Sequence, residues 1–119
     1  MNPIKAILKR FCSIKKMRGA LVITKDGLII ENHLESDAKA ETLGAFMSQV
    51  AQTINNSLIV MNEESWVRYT LESNHERVYI ENLGKSLLIA LSEIDVDTGK
   101  INIALFQAAN EIKKTGRIV

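Results

Sequence analysis

The sequence predicts an α+β domain in three layers, a five-stranded antiparallel sheet with helices on both faces, in the order α-β-β-α-β-β-β-α. Three observations carry this expectation. Two apolar, β-branched runs flank Asp26-Gly27, a strong hairpin signal. Three more runs separated by short polar turns read as a meander. Apolar residues recur at helical spacing before, between and after these strand groups.

Residues 2–13 form the first element. Pro3 stands where a helix needs no amide donor, and Ile4, Ile7, Leu8 and Phe11 follow the i, i+3, i+4, i+7 spacing of an amphipathic helix. Lys5, Lys9 and Arg10 occupy its other face, a solvated face or one that meets an acidic partner or anionic lipid. Gly19 opens the strand 20–24, and the turn Lys25-Asp26-Gly27 joins it to the strand 28–32. The first of these is apolar at consecutive positions, so both its faces must be covered and it belongs inside the sheet.

Ser36 and Asp37 are candidate caps for a long second helix ending near Asn55-Asn56. Its expected core face is Leu43, Phe46, Met47, Val50 and Ile54. Beside it Gly44, Ser48, Ala51 and Asn55 form a stripe of mostly small residues, and Ala45, Gln49, Gln52, Thr53 and Asn56 form a third face. A small-residue stripe admits another backbone closely, from the same domain or from a second copy of it.

After the linker Asn62-Glu63-Glu64-Ser65, residues 66–72 alternate, with Val67, Tyr69 and Leu71 on one face and Trp66, Arg68, Thr70 and Glu72 on the other. This strand opens the meander and suits a sheet edge. Strands 77–81 and 87–91 follow, the second apolar throughout and so central. Asp95, Asp97 and Thr98 offer caps for a last helix with Ile101, Leu105, Ala108 and Ile112 as its stripe and Lys113, Lys114 and Gly116 at its end. The long middle helix is expected on one face of the sheet and the terminal helices on the other.

At 119 residues, 46% hydrophobic and 24% charged, the chain is sized for one domain over residues 1–119. Lone Cys12 excludes an internal disulfide, and with only His33 and His75 the usual zinc ligand sets are lacking. Net charge is +1, which argues against a nucleic-acid partner, although the seven basic residues up to Lys25 meet no acid there. No stretch is long and apolar enough for a secretion signal or stable membrane insertion, and the expected location is cytoplasmic.

No constellation for catalysis appears, and no cofactor or metal is expected. The chain has no GxxxxGK[ST] loop, no GxGxxG and no GxSxG elbow. Cys12 has no nearby histidine, and the pairs Glu63-Glu64 and Asp95/Asp97 lie where loop solvation or capping accounts for them.

Three phrases, RGALVITKDGLIIEN, ETLGAFMSQVAQTIN and RVYIENLGKSLLIALSE, occur in an order and at separations that resemble the Roadblock family, named for a dynein light chain, and most closely its prokaryotic MglB-like members. The likeness runs from about residue 19 to 110 and implies a profilin-like three-layer fold that agrees with the order above. It also implies a non-enzymatic homodimer that acts as partner, scaffold or activator of a Ras-like small GTPase. Such domains pair through the middle helix and the following edge strand, which would place Gly44, Ser48, Ala51, Asn55, Trp66, Arg68 and Thr70 at the dimer interface. Ala45, Gln49, Gln52 and Asn56 would then remain exposed for the GTPase, with the basic first helix as the alternative surface. Two other readings are a PAS- or GAF-like small-molecule sensor, which needs an enclosed pocket with convergent polar groups, and a structural subunit of a larger complex.

Overall fold

The computed structural model describes residues 3–116 except Glu35 and Glu64, together with the backbone but not the side chains of Asp37 and Ala38. Asn2 as the first helical residue, Glu64 of the acidic pair and the Asp37 side chain as a cap therefore lie outside the described residues. The elements are α1 (Pro3–Cys12), β1 (Met17–Thr24), β2 (Ile29–His33), α2 (Asp37–Val60), β3 (Arg68–Glu72), β4 (Glu76–Asn82), β5 (Ser86–Glu93) and α3 (Thr98–Lys114). All neighbours in the sheet are antiparallel, in the order β2-β1-β5-β4-β3. The two consecutively apolar strands, β1 and β5, lie inside the sheet, as their composition requires.

Helices α1 and α3 cover one face. Ile4, Ile7, Leu8 and Phe11 of α1 and Ile101, Leu105, Ala108 and Ile112 of α3 pack there on Ala20, Val22, Tyr79, Leu88 and Ala90. Helix α2 covers the other, with Ala51, Ile54 and Leu58 over Leu21, Ile23, Ile80, Leu87 and Ile89. Each fully buried Leu or Ile in these layers contributes about 2 kcal/mol of transfer free energy. Ser36 Oγ accepts from the Lys39 N–H at 3.1 Å and Asp97 Oδ1 from the Lys100 N–H at 3.1 Å, which starts α2 and α3.

Three expectations about α2 and β3 are corrected. Helix α2 runs one turn past Asn55-Asn56, because Leu58 continues its buried stripe. It stops at Asn62, whose φ of 62° is the left-handed conformation that asparagine tolerates. There the Asn62 N–H donates to Ile59 O at 3.1 Å and the Glu63 N–H to Leu58 O at 2.9 Å, a Schellman ending. Second, the helix is rotated by roughly 60° from the face that hydrophobicity alone selects, taking 100° per residue. Ala40, Gly44, Ala51, Ile54 and Leu58 face inward, while Phe46, expected in the core, is 59% exposed.

The cause is size. A Cβ on Gly44 would stand 3.0 Å from Ile29 Cδ1 and 3.2 Å from Gly27 O, so the small-residue stripe seats α2 on the turn of its own hairpin. Gly27 itself has φ 97° and would bring a Cβ within 2.9 Å of Ser48 Oγ. Third, β3 begins at Arg68 rather than Trp66. The chain bends at Val67, and Trp66 turns to the α2 side, where it stacks edge-on against Tyr69 with ring centroids 5.3 Å apart. Its indole N–H donates to Asn55 Oδ1 at 2.7 Å, which satisfies the buried donor.

Candidate protein interface

The sheet has two edges, and they differ. At β2, Val22 pairs with Glu31 but Ile23 with Ile29, so Ile30 is an extra residue that bends the edge. Ile30 packs on the core beneath α1 and α3, and Lys5 of α1 lies 3.8 Å from Glu31. A bulged, covered strand is a poor template for another chain. The opposite edge, β3, keeps one register against β4 from Arg68↔Glu81 to Glu72↔Arg77. The Asn82 N–H donates to Val67 O at 2.8 Å and the Ser73 N–H to Glu76 O at 2.9 Å. By the alternation of an antiparallel ladder, Val67, Tyr69, Leu71 and Ser73 therefore bond toward β4, and the backbone groups of Arg68, Thr70 and Glu72 point away from the sheet.

Apolar surface runs beside this edge. Phe46 is 59%, Val67 73% and Leu71 40% exposed, while Leu43, Val50, Tyr69 and Val78 are half-buried. Leu34, Leu43, Phe46, Val78 and Leu91 line an open groove of about 460 Å³ between α2 and the sheet, which Arg18, Lys39, Thr42 and Glu76 also border. Arg18 and Glu76 form an exposed ion pair at 2.8 Å, an interaction worth under about 1 kcal/mol.

The seven dimer candidates divide. Gly44 and Ala51 are buried in their own domain, Asn55 holds Trp66, and Trp66 is 9% exposed, so none of these offers a free side chain. Arg68 grips Glu81 through two nitrogens, at 2.6 and 3.0 Å, and reaches Asn102 Oδ1 at 3.1 Å, on the α3 side of the sheet. Ser48 is half-buried, its hydroxyl donating to Ala45 O at 2.8 Å, and Thr70 is exposed in the middle of β3. The four residues expected to face a partner, Ala45, Gln49, Gln52 and Asn56, form one exposed, uncharged strip on the side of α2 turned from the sheet. Helical periodicity takes Phe46 for core, and strand alternation puts Val67, Tyr69 and Leu71 on one face without saying how far α2 extends over it.

Among the described residues no group of three or more His, Cys, Asp or Glu is placed to hold a metal ion, and no helix is long and apolar enough to cross a membrane. Asp95 is held below the usual carboxylate range by its hydrogen bond from Lys16. Cys12, half-buried at the end of α1, has its thiol pushed up to about 11 by burial. Only the thiolate reacts, so alkylation of Cys12 at pH 8 is expected to be on the order of 100-fold slower in the folded protein than in urea. Equal rates in a stopped labelling assay would show an accessible, ionised thiol instead.

The sequence model of the Roadblock/LC7 domain matches residues 3–93. The Methanocaldococcus jannaschii protein MJ0310 is 26% identical over 110 residues, 92% of this chain and 96% of its own length. Among solved structures, Myxococcus xanthus MglB superposes with a TM-score of 0.89 at 14% identity, covering 98% of this chain and 96% of that one. A Roadblock/LC7 domain from Streptomyces avermitilis gives a TM-score of 0.90 at 12% identity, with 96% and 98% covered.

Proposed function

The chain belongs to the Roadblock/LC7 domain family, and from that premise we propose that it is a non-enzymatic regulatory or scaffold protein that pairs with a second copy and binds a Ras-like small GTPase. The observation that carries the reading is the flat, outward-bonding β3 edge beside the exposed apolar flank of α2, against a β2 edge that is bulged and covered. A strand added at β3 satisfies backbone groups and lets a second Phe46–Leu71 flank cover the first, removing apolar surface from water. The dimer contact thus moves from the Gly44 and Ala51 stripe to Phe46, Val67, Thr70 and Leu71.

On the outer side of α2, Ala45, Gln49, Gln52 and Asn56 give each protomer an uncharged strip. A GTPase can cover it without stranding a charge, which is the costly event in burying a polar surface. A PAS- or GAF-like sensor is less well supported, because the groove between α2 and the sheet is open and mostly apolar rather than enclosed around convergent polar groups.

Light scattering at micromolar concentration is expected to give twice the 13.3 kDa chain mass. A pull-down from the protein's own cell lysate should retain a Ras-like GTPase, identified by mass spectrometry. The double variant Ala45→Glu/Gln52→Glu should bind that GTPase at least tenfold more weakly while its mass and urea midpoint stay unchanged, since exposed substitutions shift stability by only about 0.5 kcal/mol. A 13 kDa mass that persists as concentration rises overturns the dimer. Unchanged affinity in the double variant moves the GTPase site off this strip.

A further inference from the structure

We infer that the outer face of α1 and α3 is a docking surface for an anionic lipid bilayer, which the two helices meet from the water side. Charge is divided unevenly between the helical layers. Residues 3–16 and 95–116, which hold α1 and α3 with their adjoining turns, carry eight basic residues against Asp95, Asp97 and Glu111, a net of +5. Residues 36–65, which hold α2, sum to −3. The chain's net charge of +1 therefore conceals a polar molecule whose positive side is the layer of terminal helices. The three acids of that layer are already engaged. Glu111 pairs with Arg10 and Asp95 with Lys16, while Asp97 caps α3. No acidic side chain among the described residues pairs with Lys9, Lys15, Lys100, Lys113 or Lys114, all of them exposed.

Bare apolar surface stands among these lysines. With Ile101, Leu105, Ala108 and Ile112 turned to the core, the 100° step of a helix turns Ile103, Phe106 and Asn110 outward. Ile103 and Phe106 are each 63% exposed and lie one turn apart. Lys100 precedes Ile103 by one turn, Lys113 follows Phe106 by two, and Lys9 stands on the outer side of α1, opposite its buried stripe. Bulky apolar side chains in a basic surround are the components of interfacial binding, in which the apolar pair enters the headgroup boundary and the lysines meet anionic lipid. The kind of cation separates a bilayer from an acidic protein. A carboxylate on a folded protein is met best by the guanidinium fork, and Arg10, the only arginine of this layer, is taken by Glu111. What remains are lysines, compact charges on flexible stems that follow mobile headgroups without a fixed geometry. This face lies across the sheet from Ala45, Gln49, Gln52 and Asn56, so a bilayer on α1 and α3 leaves the strip on α2 uncovered. The inference needs only the single chain and stands whether or not the protein pairs or binds a GTPase.

Vesicle sedimentation tests it, with phosphatidylcholine alone compared with phosphatidylcholine containing about one-third phosphatidylserine. The full chain should bind the anionic vesicles at least tenfold more tightly, since each lysine near such a surface is worth about fivefold. Binding should fade as sodium chloride rises from about 0.1 to 1 M, over which the screening length shrinks from about 10 to 3 Å. The variant Lys9→Gln/Lys113→Gln/Lys114→Gln should bind roughly 100-fold more weakly by the same measure. Ile103→Ser/Phe106→Ser should bind about tenfold more weakly with its charge unchanged. All five positions are exposed, so the urea midpoint of each variant should stay close to that of the parent, and the single changes Lys113→Gln and Phe106→Ser report on the same face if a multiple variant is destabilised. Equal binding to the two kinds of vesicle, or unchanged binding in either variant, overturns the proposal. No sedimentation with the anionic vesicles also overturns it and returns this face to solvent or to an acidic protein.

Discussion

Replacing Ala51 by arginine is expected to unfold most of the protein. Ala51 is 3% exposed and packs with Ile54 and Leu58 over β1 and β5. A guanidinium there needs room that the layer lacks, costing about 1–3 kcal/mol in overpacking. It also leaves an unpaired charge out of water, a penalty of several kcal/mol more. Against a total of roughly 5–15 kcal/mol for a native domain, the sum removes most of the stability. Ala45→Arg is the control on the same helix: position 45 is exposed and the change should stay within about 0.5 kcal/mol. Urea titrations at one fixed protomer concentration measure both, because the midpoint of a dimer depends on concentration. An Ala51→Arg midpoint close to that of Ala45→Arg would mean that α2 does not bury this face.

The second large effect is expected at Arg68→Met. Glu81 is 3% exposed, and its carboxylate is held by two Arg68 nitrogens. Without them a charged group is stranded beneath α3, at a cost of about 3–5 kcal/mol. Removing both charges with Arg68→Met/Glu81→Leu should restore much of the loss, since an apolar pair of similar volume carries no desolvation penalty. The double-mutant cycle separates the two explanations: a double variant no more stable than Arg68→Met would show that the arginine stem, and not its charge, supports α3.

Much of the layer architecture was legible because it depends on where apolar residues fall. The unbroken runs of β1 and β5 require two covered faces, and Asp26-Gly27 supplies the left-handed residue its turn needs. The rotation of α2 was not legible by the same means. A wheel weighted by hydrophobicity favours Phe46 and Val50, whereas the packed side was selected by the small volumes of Ala40, Gly44 and Ala51. One signal did exist: a glycine inside a long helix costs about 1 kcal/mol relative to alanine and commonly marks a close approach. Gly44 is such a glycine, and the hairpin turn is what approaches it. Likewise Asn62 was the available stop signal for α2, while Asn55 belongs to the helix and receives the Trp66 indole. That pairing joins residues whose relation depends on the bend at Val67, which no local pattern encodes. The exposure of Ala45, Gln49, Gln52 and Asn56 followed from periodicity, because polar residues opposite a packed face are exposed whichever flank carries the helix.

The pairing of β1 with β5 also governs when the protein can fold. Thr24 lies opposite Ser86 and Met17 opposite Ser92, so these two inner strands are separated in the chain by the whole of β2, α2, β3 and β4. Hairpin β1–β2 can close early, since its turn is short, but the inner edge of β1 stays open until β5 has been synthesised. Joining such distant segments carries a loop-closure entropy that local contacts do not repay, and topologies of this kind fold slowly. During synthesis, the apolar run from Ala20 to Ile23 emerges from the ribosome long before its partner does, and its exposure to chaperones or to other nascent chains lasts for that interval.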